Sequence, residues 1–161
     1  MTDAHAARSR LDPGIDRDIY PMPSFTTFPV ADLDRSRAWY EALGFITLAV
    51  VPAPDGAPLV VHLRRMRYQD ILLVPGTPTP GFRVSFAAGE VDLTAVAETA
   101  RRRVHAAERA GTISGPERTP WYALELTAID PDGYAIVLTA PLLDDSARDD
   151  DWSRRVTGSV L

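Results

Sequence analysis

The sequence predicts an α+β fold made of two tandem βαβββ modules whose sheets together form a cup. Three observations predict it. First, two stretches share one plan. One runs Phe25 to Val30, then an acidic turn with Asp32 and Asp34, then a helical pattern reaching Gly44. The other runs Arg83 to Ala88, then a turn with Glu90 and Asp92, then a helical pattern reaching Gly111. Second, each stretch is followed by further short β-rich runs. Third, a linker from Pro75 to Gly81 separates the copies, and its density of Pro suits neither a helix nor an inner strand.

Each element has a local reason. Asp32 or Asp34 can cap the first helix by accepting from its free N–H groups. Trp39, Tyr40 and Leu43 supply that helix's buried stripe, and Gly44 suits its C-terminal cap. Ile46 to Val51, Leu59 to Leu63 and Ile71 to Val74 read as strands. A turn with Asp55-Gly56 joins the first two, and residues 64 to 70 link the last two. The second helix carries Leu93, Val96, Ala97, Ala100, Val104 and Ala107 at helical spacing, with Arg101, Arg102, Arg103 and Glu108 elsewhere on the wheel. Ile113 opens a short strand and Trp121 to Ile129 forms a longer one. Asp130-Pro131-Asp132-Gly133 is a tight turn before the last strand, Tyr134 to Leu138. The expected organisation is a polar arm over residues 1–22, a domain over 23–141 (module one 23–75, module two 82–141) and an acidic tail over 142–161 in which Trp152 docks.

Composition removes several chemistries. With 161 residues, 45% of them hydrophobic, the chain is long and apolar enough to bury a core. It has no Cys, so thiolate metal sites and Cys nucleophiles are excluded. All 17 basic residues are Arg, which excludes Schiff-base chemistry through Lys. The net charge of −5, concentrated in the tail, disfavours a phosphate backbone as partner. No apolar run approaches the length of a membrane span, and the N-terminal residues lack the apolar segment of a secretory signal. A cytoplasmic protein with neither nucleic acid nor membrane as partner is expected.

Strand alternation sorts the side chains onto two faces. Phe25, Thr27, Asp70, Leu72, Val74, Arg83, Ser85, Ala135, Val137 and Thr139 fall on one, which would line the cup. Thr26, Phe28, Ile71, Leu73, Val84, Phe86, Ile136 and Leu138 fall on the other, which is more apolar and would pack on the helices. Arg83 either clamps a carboxylate or sulfate of a ligand or forms a structural ion pair with Asp70. Trp121 and Tyr122 either stack on a flat ligand or pack in the core, and Phe25 has the same two readings. His62 lies on a strand that can line the cup, as a structural residue or a ligand contact. Glu125 is a general base if it faces inward, and otherwise an ordinary carboxylate. No nucleophile–base pair and no glycine-rich phosphate loop can be read.

Several motifs carry a resemblance: Val30-Ala31-Asp32-Leu33-Asp34-Arg35-Ser36, Trp39-Tyr40 and Leu43-Gly44-Phe45, then Trp121-Tyr122 and Asp130-Pro131-Asp132-Gly133-Tyr134. Their order over residues 24–141 resembles the vicinal oxygen chelate superfamily of glyoxalases, bleomycin-resistance proteins and extradiol dioxygenases. The resemblance implies that four cup-facing His, Glu or Gln side chains would bind a divalent metal in the family's metalloenzymes. The matching positions here are Phe25, Leu72, Arg83 and Val137, none of which is a metal ligand. By this resemblance the chain is closest to the metal-free bleomycin-resistance branch.

The expected function is therefore a metal-independent small-molecule-binding protein that sequesters an antibiotic or other secondary metabolite. It would need no cofactor and would act as a homodimer. The expected ligand-contacting set is Phe25, Thr27, His62, Asp70, Leu72, Arg83, Ser85, Trp121, Tyr122 and Val137. The alternative is a metal-independent isomerase, cyclase or hydrolase of the same fold, with Arg83, Asp70, His62 and Glu125 as catalytic candidates. A metal-dependent glyoxalase or dioxygenase ranks last.

Overall fold

In the computed structural model the described residues are 22, 24–67, 69–89, 91–106 and 110–142. Most of the arm with His5, the helix residues Ala107 and Glu108, and the acidic tail with Trp152 lie outside them.

The first module consists of β1 (Phe25–Val30), α1 (Leu33–Ala42), β2 (Ile46–Pro52), β3 (Pro58–Arg64) and β4 (Asp70–Pro75). The second consists of β5 (Arg83–Ala87), α2 (Leu93–Ala106), β6 (Thr112–Arg118), β7 (Ala123–Ile129) and β8 (Ala135–Pro141). The internal echo holds at the level of topology. The sheets run β1-β4-β3-β2 and β5-β8-β7-β6. In each, the module's first strand pairs parallel with its last, and the remaining pairs are antiparallel.

The helix starts follow from the two acidic turns. Asp32 accepts from Arg35 N at 2.9 Å, and Asp92 accepts from Thr94 N and Ala95 N at 2.9 and 3.2 Å. Each satisfies amide groups that the first turn leaves without a helical partner. Gly44 follows α1 at φ 92°, a left-handed conformation in which Gly is unstrained. Gly111 does not cap α2, whose assigned span ends at Ala106. Gly111 stands at the entrance to β6, pressed against module one. A Cβ there would lie 2.6 Å from Trp39 Nε1 and 2.7 Å from the Ile129 carbonyl oxygen.

One core joins the modules. Phe28, Ile71, Leu73, Ile136 and Leu138 are buried, as the alternation requires, and they share a cluster with Trp39, Tyr40, Leu93 and Ala97 from the helices. Phe28 stacks on Tyr134 across the module boundary, with ring centroids 4.3 Å apart and planes 13° apart. The Tyr134 hydroxyl donates to the Pro29 carbonyl at 2.8 Å and accepts from Thr79 N at 2.9 Å. The turn at Asp130–Gly133 forms as expected, with Gly133 N donating to the Asp130 carbonyl at 3.0 Å. Its two carboxylates reach back to module one. Asp132 accepts from Ala31 N at 3.0 Å and from Arg35 Nη2 at 2.5 Å.

Two strand assignments need correction. β6 is a full seven-residue strand rather than a short one. β7 starts at Ala123, so Trp121 and Tyr122 lie in the turn before it. The turn is closed by Thr119 N donating to the Ala123 carbonyl at 2.8 Å and by Ala123 N donating to Thr119 Oγ1 at 3.1 Å. Pro120 sets its φ, and Tyr122 takes the left-handed position at φ 59°. No helix among the described residues is long and apolar enough to cross a membrane.

Candidate functional site

The cup-facing side chains of module one meet at Asp70. The β3–β4 register sets His62 opposite Leu72 and Arg64 opposite Asp70, and the β1–β4 register sets Phe25 opposite Asp70 and Thr27 opposite Leu72. All therefore project to the same side of the sheet. Arg64 Nε donates to Asp70 Oδ1 at 2.7 Å and Arg64 Nη2 to Asp70 Oδ2 at 3.1 Å. His62 Nε2 lies 2.7 Å from Asp70 Oδ1. The Arg64 and Asp70 side chains are 1% and 0% exposed. A two-point guanidinium–carboxylate pair keeps Asp70 ionised, so the His62 nitrogen facing it acts as donor.

This arrangement corrects the pairing of Arg83 with Asp70. The partner of Asp70 is Arg64, which the sequence reading left in the link between strands. The β3 and β4 strands are each one residue longer at that end than their apolar runs. Arg64 and Asp70 thus become cross-strand neighbours, whereas Arg83 stands on the other sheet. The available signal was period two carried one step past Leu63 and Ile71.

On module two, Arg83 pairs with Glu125, Nη2 to Oε2 at 3.6 Å, and Thr139 Oγ1 lies 3.5 Å from Glu125 Oε1. Glu125 therefore faces inward. These residues border a cavity of about 280 Å³ whose lining includes Arg83, Ser114, Glu117, Arg118, Glu125 and Thr127. An irregularity between Ser114 and Glu117 bends β6 over it. Gly115 permits that bend because its Cα approaches the β7 backbone closely. A Cβ at Gly115 would lie 2.6 Å from the Glu125 carbonyl oxygen. The cavity is thus lined by charge of both signs.

The predicted ligand-contacting residues divide by accessibility. Phe25, Thr27, Arg83, Ser85 and Trp121 are exposed, and Leu72 and Tyr122 are half-buried. His62 and Asp70 are nearly inaccessible, and Val137 is 0% exposed. Those three shape the sheet surface from beneath. Core packing is the wrong reading for Trp121, which is 55% exposed. Its neighbour Pro120 lines the module-two cavity. The set as a whole is held on two separate sheets: Phe25, Thr27, His62, Asp70 and Leu72 on one, Arg83, Ser85, Glu125 and Val137 on the other.

A family model described as the Glyoxalase/Bleomycin resistance protein/Dioxygenase superfamily matches residues 23–138. The chain belongs to this superfamily. No curated protein matches its sequence. Solved structures share its fold at low identity. A glyoxalase-related enzyme from Clostridium phytofermentans is 17% identical, with 73% of this chain and 93% of that one covered and a TM-score of 0.59. TnmS3, an antibiotic binding protein from Streptomyces sp. CB03234, is 24% identical, with 73% and 93% covered and a TM-score of 0.52. A bleomycin resistance determinant encoded on transposon Tn5 is 22% identical, with 74% and 98% covered and a TM-score of 0.50.

The superfamily includes metalloenzymes, but this donor set does not fit a divalent cation. Phe25, Leu72 and Val137 offer no donor atom, and the Arg83 guanidinium repels a cation. The nearest donors, His62 and Asp70, are committed to each other and to Arg64. Among the described residues, no group of three or more His, Asp or Glu side chains converges on a point.

Proposed function

We propose that this protein binds a small organic molecule in its cup by contact rather than coordination, sequestering an antibiotic or another secondary metabolite in the cytoplasm without a metal or cofactor. The observation that carries this reading is what occupies the cup. Phenyl, alkyl and guanidinium groups stand where relatives place metal ligands, and large aromatics stay open to solvent. Phe25 and Phe82 are each 51% exposed and Trp121 is 55% exposed. Exposed aromatic rings give stacking area to a flat ligand. The Arg83–Glu125 pair, beside a polar cavity, supplies the few charged contacts that fix orientation.

A homodimer fits the same reading. Val50, Val51 and Leu59 are each more than 40% exposed on β2 and β3, at the free edge of the first sheet. An apolar sheet edge of this kind invites a partner strand or surface.

The test is equilibrium titration with a panel of antibiotics that includes bleomycin, followed by Trp fluorescence and by mass spectrometry of the recovered ligand. Saturable binding with ligand returned unchanged is the expected result. A product that accumulates with turnover, in protein stripped of metal by a chelator, defeats the binding reading. It would favour the second one, an acid–base enzyme built on the His62–Asp70 hydrogen bond. That reading has one observation in its favour, the 2.7 Å contact itself. The burial of His62, at 4% exposure, keeps its ring from a ligand in the cup.

A further inference from the structure

A second cavity lies on the opposite side of the first sheet, away from the cup. It measures about 110 Å³ and is bounded by the end of α1 (Ala42, Leu43, Gly44), by Thr99 and Arg103 of α2, and by Arg65. Arg65 directly follows β3, so it projects to the helix side while Arg64 projects to the cup. Arg65 is 3% exposed, and its Nε and Nη1 are buried without any hydrogen-bond partner. No carboxylate lines the cavity. A guanidinium in that position has lost water and received nothing in exchange, which is the costliest state for a charged group. Burial alone lowers its pKa to about 10, so it remains a cation at neutral pH. Arg103 reaches the same place from α2, with Nη1 donating to the Glu41 carbonyl at 3.5 Å.

Two explanations compete. The guanidinium groups could complement the negative end of α1, whose last turn has no basic residue of its own. That role requires Arg65 to donate to α1 carbonyls, and neither Nε nor Nη1 does so. The other explanation is a missing anion. We infer that the Arg65–Arg103–Thr99 cavity is a binding site for a small oxyanion of the phosphate type, separate from the cup. Arg65 would present its Nε and Nη1 donors to one face of the anion, Arg103 would add a second charge and Thr99 a hydroxyl. The volume suits such an anion and falls short of the roughly 300–1,000 Å³ typical of drug-sized ligands. Occupancy would also tie α1 to α2, and so one module to the other.

The experiment uses the full chain and inorganic phosphate. Binding is followed by calorimetric titration and ³¹P line width at constant ionic strength, with acetate and chloride as comparison anions. Saturable phosphate binding is expected, with chloride inert. Acetate distinguishes a general carboxylate site from one that demands a tetrahedral oxyanion: tighter phosphate supports the proposal, and acetate binding equally well or better overturns it. Arg65→Met should weaken phosphate binding about tenfold or more, because it removes at least one charge-assisted pair of hydrogen bonds. Arg103→Gln, at an exposed position that folding tolerates, should weaken it several-fold. Neither substitution should alter antibiotic binding in the cup, which separates failure of this site from failure of the cup. Non-specific stabilisation by phosphate salts persists in both variants and does not saturate. Absence of saturable binding, or binding unchanged in both variants, overturns the proposal.

Discussion

The Tyr40 hydroxyl donates to Asp130 Oδ2 at 2.8 Å, joining the helix of the first module to the turn that ends the second module's hairpin. Both groups are buried, and the same carboxylate's Oδ1 accepts from the backbone N–H groups of Asp132 and Tyr134 at 2.9 and 2.8 Å. One carboxylate thus organises its own turn and ties it to α1. Burial raises the pKa of the Tyr40 hydroxyl, with the nearby Asp130 charge adding to the effect, so it stays a donor.

Tyr40→Phe should therefore destabilise the protein by about 1–3 kcal/mol, because the apolar ring is kept while Asp130 loses a buried donor. Urea unfolding with unchanged m-value would show this. A loss below a few tenths of a kcal/mol would mean that water replaces the hydroxyl.

Asp130 also sets a pH dependence. Its pKa is raised, chiefly by desolvation, against the lowering effect of its hydrogen bonds. A raised folded-state pKa means the native state holds the proton more tightly than the unfolded chain. The associated stability is present below the ordinary carboxylate range and is lost as pH climbs through the raised value. Asp130→Asn should gain stability relative to wild type across that interval. A pair of pH-resolved denaturation series checks this, and parallel curves would refute it.

Asp70→Ala should be among the most damaging single changes, losing about 3–5 kcal/mol, because it leaves the Arg64 guanidinium buried with its main acceptor gone. Asp70→Asn keeps an acceptor and should lose less. Circular dichroism melts of the two variants rank them. An equal, small effect would show that Arg64 reaches water.

Arg65→Met should stabilise the anion-free protein by about 1–3 kcal/mol, since it replaces a buried uncompensated cation with an apolar group of similar length. The sign follows from its lowered pKa: the unfolded chain binds the proton more readily, so the penalty is present below about 10 and fades as pH rises above it. Chemical denaturation at neutral pH in chloride buffer is the check. Destabilisation there would show that Arg65 makes contacts of structural value.

Trp121→Ala should leave the melting temperature nearly unchanged, because the side chain is exposed, while weakening cup binding about tenfold through lost stacking area. Unchanged affinity would remove Trp121 from the ligand's path.

How far the sequence reached can be judged element by element. The duplicated strand–turn–helix plan, the capping roles of Asp32 and Asp92 and the buried face from Phe28 to Leu138 were all legible, because each rests on local chemistry or on a period of two or 3.6 residues. The module-boundary roles of Asp130 and Asp132 were not. Both read as ordinary turn residues, and their partners Tyr40, Ala31 and Arg35 lie some ninety or more positions earlier in the chain. Trp121 shows the same limit. Its aromatic character suggested strand and core, yet the Thr119–Ala123 hydrogen bonds turned the chain one step too soon and left the ring in solvent.

The sequence by itself determined the α+β class, the two-module repeat and the donor-poor cup positions Phe25, Leu72, Arg83 and Val137, since those follow from residue types at fixed spacing. Only the tertiary structure decided which charge meets which. Asp70 faces Arg64 because the hairpin register sets them opposite each other. Arg83 faces Glu125 because three strands of the other sheet bring them together. Arg65 stands alone because the helices packed over it carry no carboxylate at that point. Long-range pairing depends on where each strand begins and on how the layers stack, and neither is encoded in the neighbours of a residue along the chain.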